Sequence, residues 1–530
     1  MPRRHMHVTD AADAPLRAAL RELRGQLEIP DHFPPTAQAE AESAARAPRI
    51  PAGDGAVATE HTLEDATDLP LFTIDPPGSR DLDQALFLSR RSGPPGSGTG
   101  GGGFRVHYAI ADVASFVTPG GALDAEAHHR VTTLYFPDER VPLHPPVLSE
   151  GAASLLPDQD RPAVLWQLDL DPHGELTDVS VRRALVRSRA RLDYAGVQRV
   201  LDDKTAEEPL ALLRDIGLLR EGLEIARGGI SLSVPEQHII ELEHTGHYTL
   251  EYRAPLPAYG WNAQISLLTG MAAAELMLAS GTGILRTLPS PKLSTSPPSS
   301  RLRSNRGDPH DQGESPSRIG SVARLRITAR ALGVDWPHHT SYAALIRSLD
   351  PSRATHAAFL QECTALLRGA CYTVFDGTPP QPSETVHAAV AAPYAHATAP
   401  LRRLVDRYTS ELCLAASAGE EPADWVRAAL PALSREMELG AQRAHHIERA
   451  CVDLVEAAVL RDRVGEVFEG LIVDIQEQDP TQGTIHLYDP AVIGHVETTP
   501  DGPPLSLGHP LRVRLTAANP GHEPVHFTPA

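Results

Sequence analysis

Apolar positions recur at two different periods along this chain. Leu16, Leu20, Leu23 and Leu27 fall at helical spacing, which predicts an amphipathic helix over 14–27. Residues 36–46, rich in Ala and Glu, predict a second short helix, so residues 1–55 read as a helical, peripheral segment. The pattern then changes to short extended runs. Residues 71–74, 85–88 and 104–110 suit core strands, as do 163–170 and 179–192. Helical periodicity returns over 197–227, after Trp261, from Val322 onward, over 356–370 and near 450. Four short runs at 467–474, 483–488, 493–497 and 511–516, broken by Gly, Pro and Asp turns, predict a small β domain over 464–530. The expected fold class is α+β.

Composition narrows the setting. The 530 residues suffice for two to four domains. Four cysteines, at 363, 371, 413 and 451, lack metal-type spacing and fit reduced thiols in a cytoplasmic protein. No signal peptide follows Met1, and no apolar stretch reads as long enough to span a bilayer, so no membrane contact is expected. No obligate protein partner is evident. Residues 92–103, rich in Gly, Ser and Pro, read as a long hairpin tip. Residues 289–321 have almost no apolar positions and read as a disordered insertion. The formal net charge of -20 argues against a general nucleic-acid binder. A channel needs only local cations, however, and residues 181–191 hold five arginines and no acid.

The chemistry concentrates in residues 71–87. Asp75 ends the first strand, Pro76-Pro77-Gly78-Ser79 turns the chain, and Asp81 and Asp83 precede the next apolar run. Alternation puts Asp81 and Asp83 on one face. Carboxylates brought together repel, and a hard cation such as Mg2+ relieves the repulsion. Spacing alone also suits a solvated turn capped by its aspartates.

A second stretch decides between them. Thr73-Ile74-Asp75 with Asp81-Leu82-Asp83-Gln84-Ala85, and Tyr394-Ala395-His396-Ala397-Thr398-Ala399-Pro400-Leu401-Arg402-Arg403 with Asp406, resemble the two motifs of the RNB catalytic domain of the ribonuclease II and ribonuclease R family. The resemblance covers about residues 56 to 465. It departs at Gln84, where the family carries a fourth aspartate, and at Ala399, where it carries serine. It implies an RNB catalytic domain over 56–463, of mixed sheet and helices around a narrow channel, followed by an oligonucleotide-binding (OB-like) barrel over 464–530. Long relatives carry two cold-shock barrels ahead of this domain, for which the residues before the first motif are too few.

The resemblance also assigns roles. It implies a Mg2+-dependent 3′-to-5′ exoribonuclease that releases nucleoside 5′-monophosphates from single-stranded RNA. Asp75, Asp81 and Asp83 hold metal, with Gln84 a weaker fourth ligand, and Asp83 and Arg402 are the catalytic pair. Arg402 takes the scissile phosphate, Tyr135 stacks on the 3′-terminal base, and Asn262 and Glu448 contact substrate or order the site. Asp112 is expected to cap a turn, and Arg403 and Asp406 to support structure. Two other readings stand beside this one: an RNA-binding relative whose cleavage has faded with Gln84, and a metal-dependent hydrolase of another phosphoester.

Overall fold

The computed structural model describes residues 6–8, 15–48, 50–51, 57–58, 63–92, 102–242, 247–289, 321–337, 339–367, 369–476, 479–487, 490, 492–499, 504–521 and 525–530. The proposed insertion over 289–321 and the hairpin tip over 92–103 lie almost wholly outside them.

Two helices, α1 (Pro15–Gln26) and α2 (Pro35–Arg46), come first. They are not peripheral. Leu16, Leu20 and Leu23 enter a cluster with Leu134, Phe136, Ile447, Cys451 and Val455, so the apolar stripe of α1 is buried against distant chain.

The main sheet follows, made of β1 (Glu64–Asp65), β2 (Leu71–Ile74), β3 (Gln84–Arg90) and β4 (Phe104–Ala111). A small hairpin, β5 (Leu134–Tyr135) and β6 (Arg140–Val141), stands apart from it. Two long strands, β7 (Asp160–Leu170) and β8 (Leu176–Leu192), complete the sheet. The strand order is β7-β4-β3-β2-β8-β1, and β7 also pairs with β8, which brings the sheet round on itself. Alternation fills both faces. Val164, Trp166 and Leu168 of β7 join Leu86 and Leu88 in one cluster, and Ala163 and Leu165 join Leu82 and Ala85 in another.

Helices α3 (Glu208–Arg227) and α4 (Pro257–Ser280) cover the first cluster. The 24 residues of α4 are, by length and composition, apolar enough to cross a membrane, which the sequence reading had not found. Its Trp261, Ile265, Leu268 and Met277 are buried in the main core, which accounts for that apolar character. The strand pair β9 (Thr282–Thr287) and β10 (Cys371–Asp376) was not foreseen. Then come α5 (Leu404–Ala418) and the 37-residue α6 (Asp424–Leu460).

The C-terminal strands are β11 (Val467–Ile475), β12 (Gln482–Leu487), β13 (Ile493–Glu497), β14 (Pro510–Ala517) and β15 (His526–Pro529). They close into a barrel in the order β11-β12-β13-β15-β14. The fifth strand, absent from the sequence reading, is what closes it. Ala457 and Leu460 of α6 pack into the barrel's core.

The five arginines of 181–191 do not form a free cationic patch. Arg182 pairs with Glu64 at 2.6 Å, Arg183 with Asp112 at 2.9 Å and with Glu411, and Arg187 with Asp160. Arg189 and Arg191 donate to the carbonyls of Thr67 and Ser79. Asp112 accepts from Ser115 Oγ at 2.6 Å as well as from Arg183, so it serves the turn and the strand together.

Candidate active site

The first motif is held open by its turn. Ser79 N–H donates to the Pro76 carbonyl at 3.1 Å, and Gly78 sits at φ +83°, the left-handed conformation that a type II turn requires at its third residue. Asp75 is fixed beside β8 by its N–H bond to the Leu192 carbonyl, 3.1 Å. Past the turn, Ser154 Oγ accepts from Leu82 N–H at 3.0 Å and donates to the Arg80 carbonyl at 2.6 Å. Leu82 points into the core, so Asp81 and Asp83 turn the other way, as alternation requires.

The second motif is a tight loop leading into α5. The Asp406 carboxylate, fully buried, accepts from Ala399 N–H at 2.7 Å and takes a two-pronged bond from Arg403 at 2.7 and 2.8 Å. That capture holds the chain out of helix until Leu404 and leaves Leu401 and Arg402 facing the first motif.

The two motifs meet at Asp83. Its Oδ1 accepts from Leu401 N–H at 2.8 Å, across 318 residues of chain. Its Oδ2 lies 3.3 Å from Arg402 Nε, and the Arg402 side chain keeps 43% of its surface exposed. Next to Asp83, Gln84 donates its amide N–H to the Thr398 carbonyl. Its amide oxygen accepts from Tyr108 Oη at 2.9 Å, and Tyr108 Oη is 2.8 Å from Ser266 Oγ. Gln84 therefore spends both ends of its amide on protein contacts, leaving one oxygen lone pair for a cation.

Burial and mutual repulsion shape the carboxylates. Burial, then Asp81 among smaller causes, raises Asp75 to about 6. Burial raises Asp83 to about 8, against the pull of Arg402. Asp81 is instead paired with Arg140, whose other terminal nitrogen is 2.8 Å from Glu150. Among the described residues, no three His, Cys, Asp or Glu side chains stand in a ready metal-ligand arrangement. The donor chemistry nonetheless fits a hard cation. Asp75 Oδ2 is buried without a hydrogen-bond partner, and burial outweighs the nearby arginines at Asp75 and Asp83, so a further positive charge would be favoured there.

Two tyrosines lie near Arg402. Tyr135, at the hairpin, lies within electrostatic reach of Arg402, as does Tyr259 at the start of α4. The two are 37% and 46% exposed. Tyr259 rests against Tyr194, ring centroids 5.0 Å apart, and Asn262 Nδ2 donates to Tyr194 Oη at 3.1 Å. Tyr194 in turn feels the charge of Asp75. Asp75, Asp81, Asp83, Gln84 and Arg402 are thus gathered, with Tyr135 and Asn262 at the edge. Glu448 stands on α6 within electrostatic reach of Cys451, whose cluster also holds Leu134 and Phe136 on either side of Tyr135. Arg140, Glu150, Tyr194 and Tyr259 were missed. The Pro137-Asp138 turn signal between Tyr135 and Arg140 predicts a hairpin that sets the two opposite each other.

A mixed sheet wrapped by helices, closed on one site by two distant motifs and followed by a five-stranded barrel, defines the RNB class of fold. The chain belongs to that family: the RNB domain matches residues 63–417, and the RNase II-type exonuclease C-terminal S1 domain matches 466–530. Ribonuclease R of Escherichia coli is 27% identical over 435 residues, covering 78% of this chain and 48% of the relative. The chain thus spans about half the length of the curated relatives it matches. Mycoplasma genitalium RNase R, solved in complex with ribose-methylated single-stranded RNA, superposes with a TM-score of 0.74 at 18% identity, over 98% of this chain and 78% of that one. Yeast Ssd1, described as a pseudonuclease, shares the fold at a TM-score of 0.60 and 15% identity, over 85% of this chain and 52% of that one.

Proposed function

We propose that this chain is a Mg2+-dependent exoribonuclease of the cytoplasm, which shortens single-stranded RNA from its 3′ end and releases nucleoside 5′-monophosphates. One observation carries the reading: the Asp83 carboxylate holds the Leu401 amide with one oxygen and faces Arg402 with the other. A phosphate set before Arg402 is then also set before the acid cluster.

Asp75, Asp81 and Asp83 would hold the cation, with the Gln84 amide oxygen a weaker donor. When bound, Mg2+ supplies the charge that readies a water for attack and offsets the developing charge on phosphate. The protein does the rest. Arg402 grips non-bridging oxygens of the scissile phosphate, and its exposed head leaves room for them. Asp83 orients Arg402 and, through the Leu401 amide, the loop that carries it. Tyr135 and Tyr259 offer exposed rings near Arg402 for the last bases, which suits stacking with little sequence preference. Asn262 holds Tyr194, which supports Tyr259.

A second reading, an RNA-binding relative with faded cleavage, is favoured by one pair of observations: both ends of the Gln84 amide are engaged, and Asp81 is held by Arg140. Incubation of a single-stranded oligoribonucleotide with protein and Mg2+, with products separated by chromatography, distinguishes the two. Nucleoside 5′-monophosphates that vanish with a chelator support the exonuclease. Intact RNA that still shifts in a gel supports the second reading.

A further inference from the structure

The hairpin β5–β6 carries two side chains into one site. Tyr135 and Arg140 are directly paired across its two strands. Tyr135 reaches the surroundings of Arg402, while Arg140 reaches back to Asp81 of the first motif. The guanidinium of Arg140 divides its nitrogens between two acids: Nη1 faces Asp81 Oδ1, and Nη2 lies 2.8 Å from Glu150 Oε1. Glu150 stands on a single π-helical turn, Leu148–Ala152, an irregularity that commonly marks functional positions.

The hairpin is also fixed at its tip. The buried Arg24 of α1 places Nη1 2.8 Å from Asp138 Oδ1 and Nε 2.8 Å from Glu139 Oε1, and its guanidinium lies 5.3 Å from the centre of the Phe136 ring. Arg140 is therefore delivered to Asp81 by an anchored element.

We propose that Arg140 is the site's resident cation, a positioning residue that holds Asp81 in the absence of metal and sets how much metal the site requires. This rests on the reading of Asp75, Asp81 and Asp83 as metal ligands. Without metal, Arg140 offsets the repulsion that Asp81 exerts on Asp75 and Asp83. When a divalent cation takes Asp81, two positive charges compete for one carboxylate. Glu150 then matters, because it keeps Arg140 paired after Asp81 is given up. The guanidinium can transfer its weight from one acid to the other without being left alone.

Two substitutions are expected to act in opposite directions. Arg140→Gln removes the competitor and should tighten Mg2+ binding by about tenfold. Glu150→Gln removes the alternative partner, ties Arg140 more firmly to Asp81 and should weaken Mg2+ binding several-fold. The measurement is calorimetric titration of the RNA-free full chain with Mg2+ alone, with a melting curve of each variant to establish folding. Opposite shifts support the proposal. Isotherms that overlay the wild type, weakening in both variants, or no Mg2+ binding by the wild type would overturn it. If Arg140→Gln fails to fold, Glu150→Gln decides by itself: weakened binding supports the proposal, and unchanged or tighter binding overturns it. RNA cleavage by wild type with overlaid isotherms would refute this inference and leave the proposed function standing. Opposite shifts without any cleavage would do the reverse.

Discussion

The side-chain amide of Gln84 donates to the main-chain carbonyl of Thr398, 314 residues away. With the bond from Leu401 N–H to Asp83, it fastens the strand that bears the carboxylates to the loop that bears Arg402. Gln84→Asp restores an anionic oxygen but is one methylene shorter and has no N–H to give. The Thr398 carbonyl would lose this partner, and the Tyr108 hydroxyl would keep only Ser266 Oγ. Stability is expected to fall by about 1–3 kcal/mol in a urea titration. The concentration of Mg2+ giving half-maximal cleavage is expected to fall as well, since hard cations prefer carboxylate to amide oxygen.

Arg24 ties α1 to the tip of the hairpin that carries Tyr135 and Arg140. Its partner Asp138 is as deeply buried as Arg24 itself, and Glu139 is half exposed. Arg24→Ala leaves the Asp138 carboxylate buried and alone, which should cost roughly 3 kcal/mol. Arg24→Ala combined with Asp138→Ala should recover part of that loss, as a double-mutant cycle by denaturant unfolding would read. RNA affinity should drop in the single variant because the Tyr135 hairpin is loosened.

The acid cluster makes a signed statement about pH. Asp75 and Asp83 are raised from the ordinary carboxyl value of 3.8 to about 6 and about 8. A carboxyl whose pKa is higher folded than unfolded keeps its proton longer in the folded state. The stability it contributes is full below the unfolded value and is lost as pH rises through the folded values. On the proposed metal site, Mg2+ would take the place of the proton over the same window. The rise in Tm caused by Mg2+ should therefore be larger near pH about 8 than near pH about 5. In Asp83→Asn the difference should shrink.

Tyr259 was not among the residues singled out from the sequence, yet it stands exposed near Arg402 and braced by Tyr194. Tyr259→Ala should cost about 1–3 kcal/mol in single-stranded RNA binding, the range for one stacked base. The loss should be felt in KM more than in kcat, as separate kinetic constants would reveal.

Both motifs were legible because each is local. A strand, a Pro-Pro-Gly turn and alternating aspartates specify the first, and a run ending in Asp406 specifies the second. What joins them was not legible. Gln84, isolated in sequence, reads as a missing aspartate, while in the fold it is a strut whose partner is a main-chain carbonyl that no side-chain pattern marks. The arginines of 181–191 looked free for the converse reason. Glu64, Asp112, Asp160 and Glu411, which neutralise them, lie far off along the chain. The helix α1 looked peripheral because its stripe of leucines names no partner.

The most direct test compares wild type with Asp83→Asn on a 5′-labelled single-stranded RNA, with Mg2+ and with a chelator. Wild type should produce a ladder that shortens progressively from the 3′ end, only with Mg2+. Asp83→Asn should bind the same RNA with near-unchanged affinity and leave it intact. Cleavage by Asp83→Asn at close to the wild-type rate, internal cuts, or a wild type that leaves RNA whole with Mg2+ would contradict the assignment.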